Sequence, residues 1–403
     1  MSNSQRWSGP KPVKQLPMLH RRSLPQMSPA PQDGSRNPKL KLIKDTNFSA
    51  IFIGLMLLSV TFSGCHRIER VVVEDKITVR NACTETPRVL NFGFYAYFAP
   101  VSYSADPNPP SDEFNTHRGY EADLLTALEA IEDISVSFQR KAIGQWPGIW
   151  LKAAEPTYDM IGGGITILDA RTKDAAGIQR VTFTSGHIQF RQSLLVRRED
   201  AQRLSDYTAL SRDVRVGVLS GTTGEVRLLQ RTGIVNDAGI LIEGTRVETS
   251  TGSFISDGTS DYRITSAEAT PQLIGRRSLY PPSPHMPEVI YLGDTEGESE
   301  LLQALADGRI DAIARGEIGN REAAAITNEA FVVSALDDRV EYGGFTLAIE
   351  DAELAACLDT RLNYLTDNGN IGYVQWLQDP TVFFARAQVW NASQHLPEIN
   401  SEW

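Results

Sequence analysis

The sequence predicts an α/β fold built mostly on parallel sheet, and three observations carry that prediction. From Arg88 onward, short apolar runs alternate with stretches of helical periodicity, the order expected of strand–helix–strand units. The composition is that of an ordinary globular chain, 41% hydrophobic and 22% charged over 403 residues, which excludes wholesale disorder, collagen and a small disulfide scaffold. No repeat of solenoid length is present.

Taken in order, residues 89–94 (Val-Leu-Asn-Phe-Gly-Phe) read as a first strand. Over 121–131, Leu124, Leu125, Leu128 and Ile131 fall on one helical face. Met160 and Ile161 form a short buried strand that runs into Gly162, Gly163 and Gly164. A second series starts near Leu194: Val214, Val216 and Val218 alternate along a strand, and Ser220-Gly221-Thr222-Thr223-Gly224 turns into a helix led by Glu225. Leu301, Leu302 and Leu305 make a helical face stopped by Asp307-Gly308, with a strand over 310–314 after it. Leu354, Leu358, Leu362 and Leu365 line a last helix, closed by Asp367-Asn368-Gly369. Residues 233–287 break the pattern. They are rich in Gly, Ser and Thr, hold Tyr280-Pro281-Pro282-Ser283-Pro284, and read as a surface insertion, or alternatively as a lid or partner-docking arm.

The charge is unevenly spread. Residues 1–64 carry nine Lys/Arg against two Asp/Glu, a surplus of seven, so the remainder must carry −18 to reach the total of −11. An acidic body repels phosphate backbones and anionic lipid, which argues against nucleic-acid binding. Residues 48–64 are uncharged and mostly apolar. At 17 residues they suit a signal core better than a span, which needs ~20. Phe62-Ser63-Gly64-Cys65 is similar to the lipobox of bacterial lipoproteins, with Phe62 in place of the usual Leu, which would make Cys65 the lipidated residue; an uncleaved anchor and plain secretion are the other readings. All three put the body outside the cytoplasmic membrane, periplasmic or otherwise extracytoplasmic. Of the remaining thiols, Cys83 and Cys357 either pair in an oxidising compartment or stay buried and free. No CxxC or His/Cys cluster supports a metal site, and no cofactor is expected.

Three features point to a binding cleft. The three glycines after Met160-Ile161 let backbone approach a ligand, and Arg171, seven residues beyond Gly164, offers a fork suited to a carboxylate. The turn at Thr222 and Thr223 opens a helix and offers amides and hydroxyls to an anion. Tyr95, Tyr97 and Phe98 crowd rings just after a strand.

In this combination the chain resembles the bacterial extracellular solute-binding proteins of the polar amino-acid type, which serve ABC importers. The residues carrying the likeness are Gly119-Tyr120-Glu121-Ala122-Asp123-Leu124, the run from Asp159 to Arg171 with Val181-Thr182-Phe183-Thr184, the run from Val216 to Glu225, and Leu305 with Gly308-Arg309-Ile310-Asp311-Ala312. The resemblance implies a two-lobed periplasmic-binding-protein fold (type II): two mixed sheets flanked by helices, with a ligand cleft between lobes. It implies a signal segment at 1–64, a linker at 65–87, a first lobe at 88–191 and 338–392, a second lobe at 192–337 that carries the insertion, and a tail at 393–403. It also implies that Arg171 holds a carboxylate, Thr166 adds a hydroxyl, Gly164 offers its carbonyl to an ammonium, and Thr222 and Thr223 cap the carboxylate from the second lobe, with Phe98 and Trp146 as walls. The implied partners are a small carboxylate or amino acid, a membrane permease and a lipid anchor, for a monomer without enzymatic activity.

The departures from the family are specific. Where the family has an Asp for the ligand's amino group, this chain has Gly316, flanked by Arg315 and Glu317. Glu317 would replace that Asp; Arg315, if it faces the cleft, favours a dicarboxylate. Tyr95 stands where relatives place an acid, and Leu168 where they place a Thr. The ligand is therefore either a polar amino acid or a non-amino organic acid. Two other roles stay open: a sensor or partner-presenting module, and a dehydratase of cyclic carboxylic acids with Glu317 as acid near Arg171.

Overall fold

A computed structural model of the chain describes residues 82–293 and 297–393. The signal-type segment 1–64 with Cys65, the linker as far as 81 and the tail beyond 393 lie outside the described residues.

The first leucine-rich helix forms as Tyr120–Glu129, and Leu124, Leu125 and Leu128 are fully buried in the cluster that also holds Leu90 and Phe92 of the strand Arg88–Tyr95. Each such side chain stabilises the fold by ~1.5–3 kcal/mol. Gly119 precedes the helix at φ 102°, where a Cβ would lie 2.4 Å from the Pro100 carbonyl oxygen, so only glycine fits. The last leucine helix runs Ala352–Leu365 and is closed by Asp367, Asn368 and Gly369, all at positive φ.

Two sheets result. The first has five strands in the order Val136–Ile143, Arg88–Tyr95, Met160–Gly162, Thr346–Ala348, Val181–Phe183. Its first three strands are parallel, and Thr346–Ala348 runs antiparallel to both its neighbours. The second has eight: Gly252–Ile255, Arg246–Thr249, Arg276–Tyr280, Glu288–Tyr291, Arg215–Val218, Ala312–Gly316, Ile188–Arg197, Phe331–Gly343. One buried cluster joins the first sheet (Phe92, Phe94, Leu124) to one face of the second (Leu195, Ile313), and another (Val216, Val218, Leu228) lies on the second sheet's other face. A small ribbon of Tyr97–Phe98, Ser102–Ser104 and His117–Arg118 fixes the loop after the first strand. The chain passes between the sheets twice, at 184–187 and at 344–345. The passages lie side by side: Thr184 N–H donates to Phe345 O at 2.8 Å and His187 N–H to Gly343 O at 3.0 Å. This is the two-lobed α/β fold.

Three differences from the sequence reading have physical causes. The passages lie a few residues from the boundaries expected at 191/192 and 337/338, which fall inside the strands Ile188–Arg197 and Phe331–Gly343 of the second sheet. The strand expected over 310–314 is Ala312–Gly316, since Asp311 leaves the apolar pattern to bond Arg197 and Arg215. The stretch 233–287 is not a surface insertion. It supplies three strands of the second sheet, and Val247, Ile264, Leu273 and Leu279 are fully buried in its core. Cys83 and Cys357 form a disulfide, tying the segment before the first strand to the helix Ala352–Leu365.

Candidate functional site

The site is assembled from the ends of strands and helices beside the two passages. After Met160–Gly162 the chain turns through Gly163 (φ 138°) and Gly164 (φ 65°). A Cβ on Gly164 would sit 2.6 Å from the Phe98 ring, so glycine here lets the aromatic wall close in. Glu121, fully buried at the start of its helix, holds this turn: its Oε1 accepts from Gly164 N–H at 2.9 Å and lies 3.0 Å from Nε2 of His187 in the first passage.

From the second lobe, Thr222 caps the helix Thr223–Arg231. Its Oγ1 accepts from Glu225 N–H at 3.1 Å and donates to Leu219 O at 2.8 Å. Glu225, also fully buried, accepts from Gly221 N–H at 2.7 Å through Oε2 and from the Arg276 guanidinium through Oε1, with Nε at 3.0 Å and Nη2 at 2.5 Å. Arg276 belongs to the strand Arg276–Tyr280, within the stretch 233–287.

Between the lobes these elements enclose a cavity of about 60 Å³. One water occupies roughly 10–15 Å³ on this measure, so there is room for about four to six non-hydrogen atoms. Eight of the ten residues proposed from sequence line it: Tyr95, Phe98, Trp146, Gly164, Thr166, Thr222, Thr223 and Arg315. Sequence reasoning did not propose Phe190, Gln192, Leu219, Gly224 or Glu298, which complete the lining together with Gly316, the position where the family has its Asp. The one usable signal was Gln192, a polar residue directly preceding the run Ser193-Leu194-Leu195-Val196. Glu298 reads in the sequence as an ordinary acid in the first turn of a helix.

Two expected residues are placed elsewhere. Glu317 opens the helix Glu317–Ile326 and bonds Arg321 Nε at 3.1 Å, so it neither replaces the missing Asp nor approaches Arg171. Arg171 is fully buried but is not part of the cavity wall. Its Nε donates to Ser266 O at 3.0 Å, Nη1 to Thr166 O at 3.3 Å and Nη2 to Gly221 O at 3.1 Å, while the guanidinium lies 4.4 Å from the Trp150 ring centroid. Gly221 O also accepts from Trp146 Nε1 at 3.1 Å. Main-chain carbonyls thus hold the fork expected to grip a carboxylate. Burial pushes its pKa down to about 9, opposed by the Glu341 charge, and it remains a cation at neutral pH.

Arg315 lines the cavity, where it is held by three protein partners. Its Nε donates to Asn320 Oδ1 at 2.6 Å, Nη2 to Gly319 O at 2.9 Å, and Nη1 to Glu298 Oε2. Burial pushes the Glu298 carboxyl up to about 7 against the lowering effect of Arg315. The dicarboxylate expectation, which needed an unpaired cation, loses its basis. Gln192, 2% exposed, donates through Nε2 to Thr223 Oγ1 at 2.9 Å and Glu341 Oε2 at 3.1 Å; its Oε1 is buried with no hydrogen-bond partner. Glu341 also accepts from Thr166 Oγ1 at 3.1 Å and makes no ion pair among the described residues.

Among the described residues no group of three or more His, Cys, Asp or Glu side chains is placed to hold a metal ion, and no helix is long and apolar enough to cross a membrane.

The fold and site define a two-lobed α/β protein with a small, largely apolar cavity between its lobes. No family model matches the chain, and no curated protein matches it. Several solved structures are similar to it. The holo form of ArgBP from T. maritima shares 19% identity at a TM-score of 0.45, covering 72% of this chain and 95% of that one. The ancestral amino acid-binding protein AncCDT-1, a precursor of cyclohexadienyl dehydratase, shares 19% at 0.45, covering 75% and 95%. The amino acid ABC transporter substrate-binding protein AbpA from Streptococcus pneumoniae, bound to L-arginine, shares 13% at 0.47, covering 74% and 95%. At such identities the likeness says nothing of this chain's ligand, and the fold stands on the sheets and passages described above.

Proposed function

We propose that this chain is an extracytoplasmic solute-binding protein that traps one small solute between its lobes and presents the closed form to a membrane importer of the ABC type. In this reading it acts as a monomer tethered through Cys65. The observation that carries it is the interlobe cavity, walled from both lobes by residues at strand and helix ends beside a double passage, the geometry in which ligand binding energy shifts a hinge equilibrium. The small carboxylate implied by the family resemblance lacks a free cation at the wall, so the reading is stated for a small solute. It is also a reading of binding rather than turnover, since Glu298, the acid at the wall, is tied to Arg315.

Gly316 supplies the test. Its backbone (φ −54°, ψ 137°) suits any residue, and a Cβ there would meet Phe190 at 3.6 Å and Phe98 at 3.8 Å, ordinary contact distances. Gly316→Leu should fill the cavity without strain. A thermal-shift panel of amino acids, hydroxy acids, dicarboxylates and amines on the full chain should give at least one ligand that adds ~2.7 kcal/mol at 100 times its Kd. That stabilisation should vanish in Gly316→Leu while the variant's own Tm holds. A panel without any hit, or hits indifferent to the substitution, overturns the proposal.

A further inference from the structure

We infer that the hairpin 264–269 is a strap that fastens the second lobe to Arg171 of the first and must let go before the lobes part. This goes beyond the binding-protein reading, because it concerns how the cleft opens whatever the cleft holds. The hairpin is anchored at its base. Ile264 is fully buried in the cluster that holds Val216 and Val218, its N–H donates to Gly239 O at 2.8 Å, and it pairs with Ala269 across the hairpin. The tip is ordered by its own hydroxyl: Thr265 Oγ1 accepts from Ala267 N–H at 3.3 Å and from Glu268 N–H at 3.0 Å, while Thr265 N–H donates to Glu268 O at 2.8 Å. A tip already fixed in this way loses little freedom when it docks.

That tip reaches the other lobe. Ser266 O accepts from Arg171 Nε at 3.0 Å, and Ala267 packs against the cluster that holds Trp146 and Trp150. Arg171 is held without it, since Nη1 bonds Thr166 O of its own lobe and the guanidinium lies 4.4 Å from the Trp150 ring centroid. Cavities flank the hairpin between the lobes. One, of about 260 Å³, is bordered by Thr265 and Ser266 and, in the first lobe, by Leu168 and Ala170. The other, of about 390 Å³, is bordered by Ala267 and Glu268 and, in the first lobe, by Pro147 and Gly148. A tip with space on either side can withdraw without repacking a core, which a face packed to interior density cannot do. What holds it is a hydrogen bond to a buried cation, stronger than one between neutral groups.

The test is hydrogen exchange at two indoles of the solute-free full chain, followed by NMR. Trp146 Nε1 donates across the cleft to Gly221 O at 3.1 Å, so its proton exchanges when the lobes part. Trp376 Nε1 donates to Asp123 Oδ2 at 2.8 Å within the first lobe and serves as the control. Replacing residues 265–268 by Asn-Gly joins Ile264 to Ala269 through a two-residue turn, which keeps the base and removes the tip. In this variant the Trp146 proton should exchange about tenfold faster or more, the scale of one hydrogen bond to a charged group, with Trp376 unchanged. Thr265→Val, which loosens the tip at full length, should give a smaller increase. Unchanged exchange at Trp146 in the shortened chain overturns the strap. Equal acceleration at both indoles also overturns it, because the hairpin would then belong to the common core. Neither result bears on which solute binds, which the ligand panel and Gly316→Leu decide separately.

Discussion

Glu298 sits at the first position of its helix, where an acid is ordinary, yet its carboxyl lies against the guanidinium of Arg315 inside the cleft. Burial holds its folded-state pKa near 7, above the usual 4.5, so between those values the folded chain binds more protons than the unfolded one. Stability from this group is therefore present below about pH 4.5 and is lost as the pH rises toward 7, at most about 3 kcal/mol over the whole window. Thermal melts from pH 4.5 to 7.5 should show a falling contribution in the natural chain and a flatter profile in Glu298→Gln. Identical profiles would mean the carboxyl is not held near 7. At this scale the sequence was legible wherever a residue's job is local. Thr222 and Thr223 at a helix start and Gly164 in a tight turn could be placed from their neighbours alone. Gln192 and Arg171 could not, because what each does depends on atoms distant in the chain: Glu341 for the first, Gly221 and Ser266 for the second.

At the scale of elements, the stretch 233–287 is joined to the cleft by a buried ion pair and by the Ser266 carbonyl that Arg171 bonds. Arg276, in the strand Arg276–Tyr280, fixes Glu225 in the second lobe's helix, and Glu225 fixes the Gly221 amide whose carbonyl meets Trp146 and Arg171. Both partners are nearly inaccessible, at 4% and 0% side-chain exposure, so removing one leaves an uncompensated buried charge. Arg276→Met should cost about 3–5 kcal/mol in denaturant unfolding, and adding Glu225→Gln should recover part of it. A loss below ~1 kcal/mol would mean the pair is not structural. The leucine helices were readable because four spaced side chains over three turns make an unmistakable stripe. The strands Arg246–Thr249 and Gly252–Ile255 were not, for each is four residues long and the only fully buried side chain between them is Val247. So short a run shows no alternation, and its pairing with Arg276–Tyr280 lies beyond any local window.

The molecule as a whole is two lobes joined covalently by two passages and non-covalently, among the described residues, by hydrogen bonds several of which gather around one carbonyl. Gly221 O, from the second lobe, accepts from Trp146 Nε1 and Arg171 Nη2 of the first, and Arg171 Nε reaches further to Ser266 O. Arg171 thus acts as a clasp between lobes, where the family resemblance implied an anchor for the ligand. The two roles make opposite predictions. Arg171→Met keeps similar bulk and removes two charged hydrogen bonds across the cleft, each worth ~1.5–3 kcal/mol. If the residue is a clasp, the ligand-free variant should show a larger radius of gyration by small-angle scattering. Its apparent affinity should also fall by the same factor for every ligand that binds, about tenfold or more, because the loss lies in the closing equilibrium that all ligands share. If it is a carboxylate anchor, carboxylates alone should weaken and the free protein should keep its dimensions. The structure favours the first outcome, since the guanidinium is fully buried among carbonyls and indole rings and absent from the wall the solute touches.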